Sequence, residues 1–147
     1  MRYSKEITIN LPREKVINLF DNSDNMFKWM PGLKTFEHLS GEAGTAGAKS
    51  KLVFDMNGRV IEMVETISER NLPETFSATY EAKGVYNEVN NKFIEVNANA
   101  TKWVIDTEFK FSGMMKIMGV AMKGAFPKQT LKNMNQFKDF AEDYKEN

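Results

Sequence analysis

The closing stretch from Met114 to Tyr144 constrains the chain more than any other part of it. Its apolar residues recur at threes and fours. Met114, Met118, Ala121 and Met122 line one face, with Phe126 close behind, and Leu131, Met134, Phe137, Phe140, Ala141 and Tyr144 follow. Lys132, Asn133, Gln136, Lys138, Asp139 and Glu142 take the other side. That period is the mark of an amphipathic helix, about 45 Å long if straight. Pro127 lies inside the pattern and has no N–H for the preceding turn, so a kink or break is expected near Ala125–Phe126. A helix this long, greasy on one side, needs an apolar surface elsewhere in the chain to lie on.

The rest of the chain supplies strands. Tyr3 to Asn10 alternates, with Ile7 and Ile9 on one side. Two short helices follow, Pro12 to Phe20 and Asp24 to Trp29, with proline tolerated in the first turn of the earlier one and a cap-rich break, Asp21-Asn22-Ser23, between them. Leu33 to Leu39 and Lys49 to Met56 read as strands. Asn57-Gly58 is a tight-turn signal, and Arg59 to Ser68 returns. After the turn Asn71-Leu72-Pro73-Glu74, Thr75 to Ala82 alternates with Phe76, Ala78 and Tyr80 on one side. Val85 to Val96 and Thr101 to Phe111 make the last hairpin. With Asn99 at its centre, Lys92 faces Asp106, Glu88 faces Lys110, Ile94 faces Val104, Phe93 faces Ile105 and Val89 faces Phe109, a register that pairs opposite charges. Trp103, Ile105, Thr107, Phe109 and Phe111 then point inward, beside Val89 and Phe93.

Strands joined by tight turns form an antiparallel sheet, and helices set apart from the strand run make the class α+β. One helix cannot fill a wide concave sheet, so apolar space is expected to survive between them. The length of 147 residues suits one domain spanning 1–147, and 41% hydrophobic residues are enough for a sizeable core. Ten methionines and eleven phenylalanines fit either a soft core or an adaptable apolar pocket.

Several functions are excluded or made remote. Twenty basic and twenty acidic residues cancel, so whole-chain charge gives no reason for capture by nucleic acid or an anionic membrane. The basic–aromatic runs FKW and TKW carry no net positive face with them. With no cysteine there is no thiol catalysis and no thiolate metal site. The start, MRYSKEITIN, lacks the apolar run of a signal peptide. The most apolar window, Met114 to Phe126, contains Lys116 and Lys123 and is too short to span a bilayer. The polar side of the final helix is of mixed sign, which argues against a membrane-surface role. A soluble, cytoplasmic protein without stable membrane insertion is expected.

Gly41 to Ser50, GEAGTAGAKS, imitates a phosphate loop, but Ala48 separates Gly47 from Lys49 and a strand follows rather than a helix. It reads as a flexible connection between strands. The lone histidine, His38, ends a strand, so a zinc site or a Ser-His-Asp site is improbable, and no metal or cofactor is called for. Glu62 and Glu65 lie in VIEMVE, and alternation puts either Glu62 or Met63 on the inner face. A glutamate buried there would have a raised pKa and serve as a general acid; on the outer face it would simply be solvated.

In the order of its pieces the chain resembles the START/Bet v 1-like superfamily (SRPBCC), which includes polyketide cyclase/dehydrase-like and lipid-transport domains. The resemblance is carried by LPREKVINLF (Leu11 to Phe20), FKWMPGLKTFE (Phe27 to Glu37), the loop GEAGTAGAK, RVIEMVETISERNLPETFSATYE (Arg59 to Glu81) and the closing helix. It implies a helix-grip fold: a seven-stranded antiparallel sheet wrapped around a long C-terminal helix, two short helices after strand 1, and a cavity between sheet and helix. It also implies that the Gly41–Ala48 loop lies near the cavity mouth, as a gate or as a plain hairpin connection, and that Trp29 lies near the rim. The expected cavity wall is Trp29, Phe54, Met63, Tyr80, Trp103, Thr107, Phe109, Met118, Met122 and Phe126. Asn87 and Asn91 join Tyr80 and Thr107 as polar candidates, with Tyr86 behind them, and Glu62, Tyr80 and Asn91 would assist a reaction. The function implied is binding of a small hydrophobic molecule: a lipid, an isoprenoid or an aromatic, polyketide-like compound. The alternatives are a metal-free polyketide cyclase or dehydratase, and a protein-partner module of the same fold.

Overall fold

The elements of the computed structural model, which describes residues 1–145, follow the expected order closely. The last two residues of the expected 1–147 unit lie outside the described residues. The order is β1 (Arg2–Ile9), α1 (Arg13–Phe20), α2 (Ser23–Trp29), β2 (Leu33–Ser40), β3 (Lys49–Met56), β4 (Arg59–Asn71), β5 (Thr75–Ala82), β6 (Val85–Asn97), β7 (Ala100–Phe111), α3 (Met115–Ala121) and α4 (Ala125–Asp143). Local chemistry explains the boundaries. Pro12 caps α1, where its missing N–H costs nothing. The Asn22 side chain accepts from the Asp24 N–H at 3.0 Å to start α2. Asn57 and Gly58 both take positive φ, as a two-residue hairpin turn requires.

All seven strands form one antiparallel sheet in the order β1-β7-β6-β5-β4-β3-β2. The β6–β7 register differs from the expected one by two residues. Phe93 faces Trp103, Lys92 faces Val104 and Glu88 faces Glu108. A bulge between Glu95 and Asn97 absorbs one residue near the turn, which the charge argument ignored. Lys92 still reaches Asp106 at 3.5 Å, as a diagonal neighbour rather than an opposite one. A slip of two keeps each side chain on its face, so the inward set from Trp103 to Phe111 is unaffected.

The closing helix is two helices, not one kinked rod. The chain turns through residues 122–124, and Pro127 then sits in the first turn of α4, where no intrahelical partner is lost. α4 lies along β1. Tyr3 Oη and Thr130 Oγ1 are 2.7 Å apart, Lys138 Nζ donates to the Thr8 carbonyl at 2.8 Å, and the Asn10 N–H donates to Glu142 Oε2 at 2.8 Å. Its second half is packed solidly. Met134, Phe137 and Ala141 meet Val16, Ile17, Trp29, Phe93 and Trp103, and Phe20 sits at the centre of an aromatic cluster, 5.0 Å from Phe93 and 5.9 Å from Phe137. Because α4 rests on one edge of the concave sheet, its first half leaves the middle strands uncovered.

Candidate functional site

That uncovered region is a cavity of about 680 Å³, within the range typical of small-molecule sites. Alternation along each strand builds its wall. β5 contributes Phe76 and Tyr80, β6 contributes Asn87, Val89 and Asn91, and β7 contributes Trp103, Ile105, Thr107 and Phe109. Ser50, Glu65 and Ile67 extend it across β3 and β4, while Phe126, Thr130, Asn133 and Met134 close it from α4. Val89, Tyr80, Asn87 and Phe109 are only half-buried although they lie on the inner face, because their exposed surface is the cavity's.

Polar groups in the wall are mostly tied to the protein. Asn91 accepts from Trp103 Nε1 at 3.0 Å and donates to the Phe76 carbonyl at 3.1 Å. The Asn87 amide donates to Thr107 Oγ1 at 2.7 Å, and the Thr107 hydroxyl donates to the Glu88 carbonyl at 2.9 Å. These links hold neighbouring strands in place and leave little capacity for proton transfer. The exception is the pair directly opposed across β4 and β5, where Tyr80 Oη donates to Glu65 Oε2 at 2.8 Å. Burial raises the Glu65 pKa above the usual carboxylate range, and the Tyr80 hydrogen bond only partly offsets this. Tyr80 is pushed well above the usual phenol value by burial first, then by the Glu65 charge and the hydrogen bond to it. The Trp29 Nε1–H is buried and has no hydrogen-bond partner among the described residues.

The Gly41–Ala48 loop and the residues next to α1 contribute to the wall as well. Ala43, Gly44, Thr45 and His38 line the cavity, as do Asp21 and Ser23. A bulge between Ile67 and Glu69 shifts the alternation of β4 by one, so that Arg70 turns inward and donates to Asp21 Oδ1 at 2.7 Å. The loop is anchored where it joins β3, by Gly47 N–H to the Ile67 carbonyl at 2.7 Å and Ile67 N–H to the Ala48 carbonyl at 3.0 Å. His38 Nε2 lies 2.7 Å from the Gly41 carbonyl at its other end.

Of the residues expected from sequence, Trp29, Tyr80, Trp103, Thr107, Phe109 and Phe126 line the cavity together, as do Asn87 and Asn91. Phe54, Met63, Met118 and Met122 do not. Phe54 and Met63 lie further along β3 and β4, towards the Asn57–Gly58 turn. Met118 and Met122 belong to the α3 region, outside the hollow. Glu62 is corrected too: it is exposed and forms an ion pair with Lys51 at 3.0 Å, because Glu65 and Ile67, of opposite parity, face inward. The buried carboxylate is Glu65. Counting by twos from Met63 would have found it; what concealed it was choosing within a neighbouring pair.

No metal-binding cluster of three His, Cys, Asp or Glu side chains occurs among the described residues, and none of their helices is long and apolar enough to cross a membrane.

No family model and no curated protein matches the sequence. Solved structures do. The ZhuI aromatase/cyclase from Streptomyces sp. R1128 matches at 13% identity over 97% of this chain and 93% of its own, with a TM-score of 0.80. A START superfamily protein from Mycobacterium smegmatis matches at 10% identity over 96% and 97%, with a TM-score of 0.80. The allergen Ara h 8.0201 matches at 14% identity over 98% and 99%, with a TM-score of 0.76. At these identities the likeness is one of fold, and the fold is the START/Bet v 1-like helix grip.

Proposed function

We propose that this helix-grip chain binds a small, largely hydrophobic molecule carrying one polar end, held between the concave sheet and the first half of α4. The carrying observation is the cavity of about 680 Å³ walled by Phe20, Phe76, Val89, Trp103, Ile105 and Phe109, with Glu65–Tyr80 as its one unusual polar pair. Ring faces favour a flat or extended apolar body. The Glu65–Tyr80 pair offers a polar contact to a ligand hydroxyl. A lipid, an isoprenoid alcohol or an aromatic phenol meets these demands. Titration with the fluorophore 1-anilinonaphthalene-8-sulfonate tests the reading, followed by competition with fatty acids, isoprenoid alcohols and polycyclic phenols. Saturable fluorescence displaced by one of these classes is expected. The absence of any saturable binding, together with native mass spectra free of bound ligand, would sink it.

A second reading draws on Glu65 itself. A carboxyl whose pKa is raised by burial, beside a tyrosine, is better suited than a solvated one to give a proton to a carbonyl or a departing hydroxyl. The ZhuI neighbour is an aromatase/cyclase by name, which makes polyketide-like substrates the first to try. Turnover that Glu65→Gln abolishes while ligand affinity persists would support catalysis. Binding with no turnover of any such substrate would leave the binding reading alone.

A further inference from the structure

α3 is apolar on both sides. Its inner side rests on the sheet: Met115 lies against Gly84, and Gly119 lies so close to the Phe111 ring that a Cβ there would come within 2.6 Å. Its outer side is bare, with Met114 79% exposed, Ile117 72% and Val120 76%. A helix with apolar side chains on its outer as well as its inner side is normally covered on both, and an exposed apolar patch of this kind marks an interaction surface.

Charge says what covers it. The whole-chain balance of zero hides a strong asymmetry. Residues 109–138 contain Lys110, Lys116, Lys123, Lys128, Lys132 and Lys138 and no acidic residue at all. Among the described residues, Lys116, Lys123, Lys128 and Lys132 form no ion pair. A second copy seated face to face would bring this lysine-bearing patch against the same patch, which has no acidic residue to offset the repulsion. An anionic bilayer surface instead takes the apolar side chains into its acyl boundary while the lysines reach headgroup phosphates.

We infer that the Met114–Lys123 segment docks the protein reversibly on anionic membrane surfaces. This replaces the expectation from net charge, which averaged over the whole chain, and it concerns the interface rather than insertion across the bilayer. The docking surface lies one layer of rings from the cavity. Phe111, under Gly119, is 5.9 Å from Phe109 and 5.6 Å from Phe126, and both of those rings line the hollow.

The test is co-sedimentation with vesicles of phosphatidylcholine alone and of phosphatidylcholine with phosphatidylglycerol. The expected result is binding to the anionic vesicles, about tenfold or more above the neutral ones, that weakens with salt. Ile117→Asp with Val120→Asp should abolish it, and Lys116→Glu with Lys123→Glu should lower it by about tenfold or more. All four side chains are exposed, so melting temperatures should hold; if the aspartate pair melts early, the lysine pair carries the test. Fluorophore binding in the cavity should be unchanged in both variants, so the two proposals fail separately. Equal partition of the wild type onto neutral and anionic vesicles, or variants that sediment like it, overturns the inference. So does a wild-type dimer in light scattering that the aspartate pair makes monomeric, which would assign the patch to a second copy.

Discussion

Filling the cavity with a larger side chain separates a hollow interior from a packed one by the sign of the stability change. Val89 is the position of choice. It lies on β6 between Ala78 and Thr107, lines the cavity, and takes part in none of the side-chain hydrogen bonds. Val89→Phe adds four carbons to the side chain. At about 0.8 kcal/mol per buried methylene-sized group, these contribute up to about 3 kcal/mol if the hollow accepts them. Fixing the ring costs roughly 0.5–1 kcal/mol of rotamer entropy, and partial wetting of the cavity lowers the gain further. A net stabilisation of about 1–2 kcal/mol remains, which raises the melting temperature by about 2–6 °C for a chain of this size. In a filled interior the same change would strain its neighbours and cost about 1–3 kcal/mol. Calorimetry of wild type and variant reads the sign, and the fluorophore titration should show affinity reduced by about tenfold in the variant, a difference of about 1.4 kcal/mol. A lower melting temperature with unchanged fluorophore affinity would refute the hollow.

Two further substitutions probe the site and its frame. Glu65→Gln should raise stability at neutral and alkaline pH and leave it little changed in acid. The raised folded pKa means that the folded chain holds a proton which the unfolded chain has already released, so wild-type stability falls as pH rises from the ordinary carboxylate value through the folded one. Glutamine removes that slope while its oxygen still accepts from Tyr80; parallel melting curves across pH would contradict the buried-carboxylate assignment. Gly84→Ala should cost about 1–3 kcal/mol, because φ there is +76° and the new Cβ would sit 2.7 Å from Met115 Cγ. Chemical denaturation measures it, and a neutral result would mean that Met115 does not pin α3 as described.

The elements were legible because each is written locally. Period two along Thr75–Ala82, the Asn57-Gly58 turn and the threes and fours after Leu131 all come from neighbours in sequence, and strand ends fell within three residues of the observed ones. The β6–β7 register was not legible, since its bulge at Glu95/Asn97 leaves no mark in the charge pattern. Six of the ten expected wall residues line the hollow; Phe54 and Met63 lie too far along their strands, and Met118 and Met122 belong to the separate α3 region. A face is a local property, but how far along that face the helix lies close is not.

Sequence by itself therefore determined a curved antiparallel surface with an amphipathic closing segment, because backbone period and turn chemistry are set within a few residues. Tertiary structure decided the rest. By laying α4 along β1 rather than over the middle strands, it placed the hollow beside Glu65 and Tyr80. By breaking the helix at 122–124, it turned Ile117 and Val120 out to solvent. Both outcomes depend on which distant surfaces meet and how much apolar area each meeting buries, which no local pattern records.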